Sequence, residues 1–506
     1  MENTRDLGVI ADMQCGGWST TLLTSQGTLH AVGVLDGGRV IAAVEHLQPL
    51  GFPPGYPSSS SEAQYSEPAI TIRQFSAGRS HILALSDSGC IWSWYHVKQA
   101  ALQVRFANID LNEVSLAGSA SSKASVYGKV KQVVAGWSRS SAYIHGYGIV
   151  VWDPVERDHD DDTTDTMLVL ENAEIPKTGY QRIRGTHDTE EQRALGEEVG
   201  AVINYIILEH YVVFVTDLGK VFCGRFQAKN RVEDVLELGE LSSVTGDRVD
   251  VQGSFRRFAV FKNNEVVTSD QGYLEACWNN RHNHLEQTNV EGLHWIPALQ
   301  GSGVISVAFG DYHYLALHSN GIITSYGTEL QACGALGLGG EQDDEGKARG
   351  IVYERFSHDG RLLPHAYTRG RQVWFDHTNK NWVNHLMRGG KDPEEAKERL
   401  ELFKSAHNVQ GEVSEWIEQE GRSMDQQKKG EDELGAYFAL RVSAAGWHSG
   451  ALMLVNDELA SEESEMSFED CAFPRLKLSD GSEMPGTKAF DEWHGGRPEW
   501  NLDVQT

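Results

Sequence analysis

Three histidines hold the same slot in three copies of one phrase. They are His81 in Gly78-Arg79-Ser80-His81, His313 in Gly310-Asp311-Tyr312-His313, and His448 after Gly446-Trp447. A cluster of histidines could serve as general bases or metal ligands. That chemistry needs convergence on one point, and repeats carry equivalent residues into different structural units. Arg139 and Arg256 fill the same slot in two further copies. The slot therefore reads as a structural hydrogen-bonding position within or between units, because buried polar groups are paired. Trp18, Trp137 and Trp447 each follow a glycine. They could line an aromatic ligand box, but their repeated placement reads as core packing. The acidic run from Asp158 through Asp160, Asp161 and Asp162 to Asp165 lacks the ligand spacing of an EF-hand and reads as a solvated loop. Gly334 to Gly340 is glycine-rich but belongs to the repeat, so it is not taken as a phosphate loop. No G-x-S-x-G, H-E-x-x-H or Walker-type motif occurs. The expectation is a protein that is not an enzyme, with no catalytic residue, no cofactor and no metal site.

The elements that position these residues follow from the repeat itself. The phrase returns seven times, with anchors at 16, 78, 136, 208, 253, 310 and 445, and the last interval is by far the longest. Self-similarity at this period means a solenoid, a propeller or an array. Each phrase runs into an apolar strand and then a turn slot holding Gly27, Gly89, Tyr147, Gly219, Asn264, Gly321 or Asn456. Glycine tolerates positive φ without steric cost and asparagine is next best, as a tight hairpin turn requires. A second strand follows, such as Cys90-Ile91-Trp92-Ser93-Trp94, and a short β-type run precedes each phrase, such as Ile72 to Ala77. One such sheet cannot bury both faces. Packing blades around a ring solves that and protects the strand edges.

Gly310, His313, Ala316, Leu317, Gly321, Tyr326 and Gly327, followed by Gly334-Ala335-Leu336-Gly337, form the fullest copy. This phrase resembles the RCC1 repeat. The resemblance spans roughly residues 10 to 457 and implies an all-β fold, a seven-bladed RCC1-like β-propeller. A narrower resemblance comes from Gly389 to Ala396, Gly411 to Gly421, Ala444 to Leu452, Phe473 to Leu478 and Arg497-Pro498-Glu499-Trp500. These stretches look like the fungal F-box/RCC1 proteins of the SCF-associated-factor type. The sequence departs from them before Gly16, where there is no room for an F-box. The expectation is either an upstream segment missing from this sequence or a lost ligase-binding arm. What the resemblance implies is a protein-interaction propeller that recognises substrates for an SCF-type ubiquitin ligase. The alternative is a guanine-nucleotide exchange factor or regulator of a small GTPase. The implied partners are a protein substrate or regulatory partner, with ligase components or a small GTPase.

The propeller is expected over 1–457, with inserts near 48–69, 153–198 and 341–440. Residues 458–506 read as an acidic linker and a C-terminal tail packed on the propeller. The first insert is rich in Gly, Pro and Ser, and the second is acidic and mostly irregular. In the third, Asp392 caps an expected helix beginning at Pro393, with Glu394 and Glu395 in its first turn, and this is the one region expected to be helical. Trp374, Phe375, Trp382 and Trp416 of the same insert are candidate partner-binding residues, since aromatics are enriched at interface hot spots. Packing on the propeller rim is the other reading of these four.

The six cysteines are scattered with no C-x-x-C pair, which fits a reduced intracellular protein. With no secretory leader and no long apolar run, cytoplasmic and/or nuclear placement and no membrane partner are expected. The formal charge is −28, from 44 basic and 72 acidic residues. Nucleic acid is therefore not expected as a partner, because phosphate binding needs a basic footprint. We predict no sub-micromolar, salt-dependent binding to random duplex DNA at physiological salt. Fluorescence anisotropy with a labelled duplex checks this, and tight binding that falls steeply with salt would reject it.

Overall fold

The computed structural model describes residues 5–35, 44–53, 71–111, 127–156, 165–182, 189–281, 290–328, 334–337, 367–375, 391 and 434–461. The chain divides into two units, Met1–Phe309 and Gly310–Thr506.

Five sheets follow one another in the first unit. The first is Ile10–Cys15, Trp18–Thr24, Leu29–Val34 and Val44–Pro49. The second is Ile72–Ala77, Ile82–Ser86, Ile91–Trp94 and Leu102–Phe106, and the third is Val130–Ala135, Ser140–Ile144, Gly148–Trp152 and Ala173–Glu174. Val202–Ile207, Tyr211–Thr216, Val221–Arg225 and Leu236–Glu237 form the fourth. Asp250–Ser254, Arg257–Lys262 and Glu265–Asp270 form the fifth, and Val304–Phe309 ends the unit.

Between each sheet and the next lies a separate apolar core. Leu29 and Ala31 of the first sheet meet Phe75, Trp92 and Trp94 of the second. Leu85 and Val104 meet Val133 and Ile144. Tyr143 and Val151 meet Tyr205 and Phe214. Val213 and Cys223 meet Val251 and Val260. Sheets stacked face to face in chain order are the blades of a β-propeller, and the protein is all-β in this sense. The second strands are apolar on both faces because each sheet is covered twice. Ile82–Ser86 and Tyr211–Thr216 are buried at every position, where a half-buried strand would alternate.

The blades are stitched at their first strands by amide side chains. Gln14 donates to the Phe75 carbonyl at 2.9 Å and accepts from the Ala77 amide at 3.1 Å. Gln74 treats Val133 the same way, with both bonds within 3.3 Å. Asn204 donates to the Val251 carbonyl at 3.0 Å, and Gln252 accepts from the Val307 amide at 2.9 Å. Each amide acts as a one-residue strand and pairs a first strand whose edge would otherwise be open.

In the second unit, His313–His318, Ile323–Thr328 and Tyr367–Gln372 are neighbouring strands of a sixth sheet. Tyr437–Ala445 and His448–Val455 form a two-stranded hairpin. Among the described residues there are thus six blades, not the seven expected from the repeat. Among the described residues the seventh phrase has two strands, not three. Asn456, placed in a turn slot by the sequence pattern, instead accepts hydrogen bonds from the Glu458 and Leu459 amides and starts the short helix Asp457–Ser461.

Other turn slots hold. Gly27, Gly89, Gly219 and Gly321 have φ between +73° and +87°, and Asn264 has φ +63°. Tyr147 is the exception, because positive φ falls on its neighbours Gly146 and Gly148.

Helices also appear where none were expected. Residues 153–198 include α1 (Glu190–Glu198), closed by a Thr189–Gln192 capping box, and a strand, Met167–Leu170, that pairs in parallel with Leu102–Phe106. Asp270 caps α2 (Gln271–Asn280). The stretch expected as one insert from 341 to 440 instead contains the strand Tyr367–Gln372 and the start of Tyr437–Ala445. The helix expected from Asp392, and residues 462–506 of the tail, lie outside the described residues.

The repeated histidine slot is structural. His81 is buried, and its Nε2 is 2.9 Å from the Ser140 hydroxyl in the next blade. In the second unit, His313 Nε2 lies 2.7 Å from Ser449. Each serine follows a slot residue, Arg139 or His448, so one repeat holds the next. Burial pushes the His81 imidazole down from 6.5 to about 4. In the unfolded chain it titrates near its ordinary value, so between these limits only the unfolded chain takes up the proton. Stability held above pH 6.5 is then lost as pH falls toward 4, by about 3 kcal/mol from this group. His145 is held down over the same window by burial and by Lys131 and Lys129. We expect urea midpoints to fall from pH 7 to pH 4.5 and His81→Gln to flatten part of that slope. An unaltered slope would show that His81 does not carry it.

Candidate functional site, an aromatic and arginine face

The anchor phrases form loops joining the first and second strands of the blades. In several, the anchor amide donates to the carbonyl three residues on. The distances are 2.7 Å for Gly16 to Ser19, 2.9 Å for Gly78 to His81 and 2.8 Å for Gly136 to Arg139. The following amide then reaches the next loop. Gly17 donates to the Gly78 carbonyl at 3.2 Å, Arg79 to Gly136 at 3.3 Å, and Glu209 to Phe255 at 2.7 Å. A Cβ on Gly78 would lie 2.6 Å from the Gly136 carbonyl oxygen, so the anchor glycine is needed for close approach. The glycine near the end of the third strand has a similar reason. A Cβ on Gly33 would lie 2.3 Å from the Trp18 carbonyl oxygen, and φ there is +95°.

With their backbones joined loop to loop, the side chains after the anchors point away from the blade cores. Trp18 is 46% exposed and Trp137 half-buried, and in the second unit Trp447 is 44% exposed. The expectation that these tryptophans pack in the core is therefore overturned. Trp18 is the first residue of its strand, and Trp137 and Trp447 lie in the loops between strands.

In the first unit these side chains assemble into a continuous array. The Arg79 guanidinium carbon lies 4.6 Å from the Trp18 ring centroid and 4.0 Å from that of Trp137. Trp137 stacks on Phe255, with centroids 3.9 Å apart and planes 25° from parallel. Arg256 sits 4.8 Å from the Phe255 ring and binds the Glu209 carboxylate at 2.5 Å. Arg139 donates to Asn230 at 2.8 Å and to the Glu209 carbonyl. Burial raises the Glu209 carboxyl, but Arg256 outweighs it and leaves the group below the usual carboxylate range.

Phe255 adopts φ +56° in the two-residue turn between Ser254 and Arg257. A bulky residue rarely takes this conformation, and such strain concentrates at functional sites. The sequence alignment placed Gly253 in a loop like that of Gly78, but here it lies in a strand and the turn is shorter. That shift is what brings the Phe255 ring over Trp137. The array was not singled out from the sequence. Its signal was a large, flat-faced residue one or two positions after each anchor, at Trp18, Arg79, Trp137 and Phe255.

Two of the four candidate partner-binding residues are described. Trp374 and Phe375 come one residue after Tyr367–Gln372 and are half-buried. The Phe375 ring centroid is 6.0 Å from that of Tyr437. Trp382 and Trp416 lie outside the described residues. Cys15, Cys90 and Cys223 are buried, and burial pushes the Cys223 thiol up. Among the described residues no group of three or more His, Cys, Asp or Glu side chains is arranged to hold a metal ion. Nor is any described helix long and apolar enough to cross a membrane.

The fold and this face define a repeat propeller built to present loops. The chain is similar to SCF-associated factor 1 of Saccharomyces cerevisiae, with 24% identity over 266 residues covering 52% of this chain and 34% of that protein. It is also similar to F-box protein pof9 of Schizosaccharomyces pombe, with 24% identity over 341 residues covering 66% of this chain and 56% of that protein. The chain thus spans about a third and just over half of these two relatives. Their names bear out the F-box/RCC1 resemblance read from the sequence. Among solved structures, Prp20p from Saccharomyces cerevisiae matches with a TM-score of 0.41 and 12% identity, covering 90% of this chain and 85% of that one. No family model matches the chain.

The Trp137–Phe255 stack must offset the backbone strain at Phe255. We expect Trp137→Ala and Phe255→Ala to be non-additive, with a coupling of about 0.5–1.5 kcal/mol in a double-mutant cycle by urea denaturation. Additive losses would show that the rings do not support each other.

Proposed function

We propose that this protein is a protein-recognition propeller that selects substrates for an SCF-type ubiquitin ligase. The carrying observation is the array of exposed Trp18 with half-buried Arg79, Trp137 and Phe255. It joins aromatic and arginine side chains, the types enriched where binding energy concentrates. It is built on loops held by a rigid scaffold, the usual location of binding residues. The similarity to SCF-associated factor 1 and to F-box protein pof9 supports the ligase setting. Trp374, Phe375, Trp382 and Trp416 are proposed as a second contact region that helps select the partner.

The test is affinity capture with the full chain, identification of captured proteins by mass spectrometry, and thermal melting of every variant. Trp18→Ala with Phe255→Ala is expected to lose a captured protein that becomes ubiquitinated when the ligase is active. Trp374→Ala with Trp382→Ala is expected to weaken the same capture while the melting temperature holds. Capture unchanged in the Trp18/Phe255 double variant would reject the face as the recognition surface. Unchanged capture with a sharply lowered melting temperature in the second would reduce Trp374 and Trp382 to packing residues.

A further inference from the structure

The geometry points to Arg79 as a carboxylate receptor: we infer that this face binds an acidic segment of a partner protein, with one Asp or Glu side chain held by the Arg79 guanidinium. The inference rests on the reading of the face as a protein-binding surface and names the chemistry of what it binds.

Four observations carry it. Arg79 is positioned by its surroundings, with Trp18 on the preceding blade and Trp137 on the following one both against its guanidinium. Its backbone is fixed by the Arg79 amide bond to the Gly136 carbonyl. Its stem has room because Gly17 carries no side chain, and a Cβ there would lie 2.8 Å from Arg79 Cγ. Finally, its charge is uncompensated. Arg256 has the Glu209 carboxylate and Arg139 has Asn230, but no side-chain hydrogen bond or ion pair to Arg79 occurs among the described residues.

Two rings lie against the guanidinium, with their centroids 4.6 and 4.0 Å from its carbon, and no described side chain takes its N–H donors. Those donors form a planar fork that matches a carboxylate with two parallel hydrogen bonds. The fork is ordered before binding, so little side-chain entropy is lost. Trp18, 46% exposed, offers an apolar surface beside the fork for the stem of the same segment. A protein of net charge −28 repels acidic partners at long range, so a half-buried, unpaired cation on an aromatic platform provides local complementarity. The choice of carboxylate over phosphate follows from number. Phosphate recognition uses clusters of arginines, and here the other two are already engaged.

The experiment is fluorescence anisotropy of the full chain with three labelled peptides of equal length, repeating Glu-Ala, Gln-Ala and phosphoserine-Ala. We expect saturable binding of the Glu-Ala peptide and none of the Gln-Ala peptide. Arg79→Gln and Arg79→Met are each expected to weaken it at least about tenfold. The methionine keeps an apolar stem against the two rings without the donors, so the fold is retained, as thermal melting checks. Equal binding by wild type and both variants would overturn the proposal, as would no saturable binding. Tighter, Arg79-dependent binding of the phosphoserine peptide would overturn the carboxylate assignment. If Trp18→Ala with Phe255→Ala loses its captured partner while Arg79→Gln binds the Glu-Ala peptide like wild type, this inference fails and the recognition surface stands. If the double variant captures normally while Arg79 still governs peptide binding, the recognition surface fails instead.

Discussion

Every blade of the first unit must satisfy the open edge of its first strand, and most of what is distinctive in the structure follows from how it does so. A strand edge with unpaired amides and carbonyls is costly to bury and hazardous to expose. Gln14, Gln74, Asn204 and Gln252 reach from one first strand to the backbone of the next. The anchor loops add backbone bonds such as Gly17 to Gly78 and Arg79 to Gly136. These bonds demand close approach, which is why glycine recurs at the anchors. The histidine slot serves the same end one layer deeper, where His81 meets Ser140 without access to water.

This constraint also creates the face. A loop whose amides and carbonyls are engaged with neighbouring loops has few backbone groups left for its own side chains to cap. The side chains are turned outward, and flat residues from neighbouring blades come within stacking distance. Each Arg79–tryptophan contact contributes on the order of 0.5–2 kcal/mol. The array therefore stabilises the blade junctions as well as presenting a surface. Structural and recognition roles coincide in the same residues, and Arg79 separates them, because its guanidinium edge has no structural task among the described residues.

The repeat was legible in the sequence because glycine and asparagine mark positive φ at Gly27, Gly89, Gly219, Asn264 and Gly321. A blade count was less legible, because the phrase marks a hairpin and not the third strand that completes a blade. Asn456 satisfies both a turn and a helix cap, and only its surroundings decide between them. Tyr147 misled for a related reason, since Gly146 and Gly148 on either side take up the positive φ. The Thr189–Gln192 capping box was readable as spacing but lay in a segment whose acidity suggested irregular chain. The tryptophans were misread because aromatic burial is a good prior for strand interiors and a poor one for residues at or just beyond strand ends. Apart from Arg256 on the adjacent Phe255, the pairwise contacts that build the face join residues far apart in sequence, so periodicity alone could not assemble it.

Phe255 shows how a departure from the repeat produces the site. In the second blade the strands pair at Ala77 and Ile82, leaving a four-residue loop. In the fifth they pair as far as Ser254 and Arg257, leaving two residues to turn. So tight a turn forces positive φ on its first residue, and glycine would meet that demand without cost. Phenylalanine accepts strain of order 1–3 kcal/mol. What it gains is a ring at 3.9 Å from Trp137, carried across the intervening fourth blade, and a platform for Arg256. A contact between the third and fifth blades does nothing to seal neighbouring blades against each other. It extends a flat surface from Trp137 to Arg256 instead, so the strain at Phe255 is better accounted for by the surface it completes than by the fold it tightens.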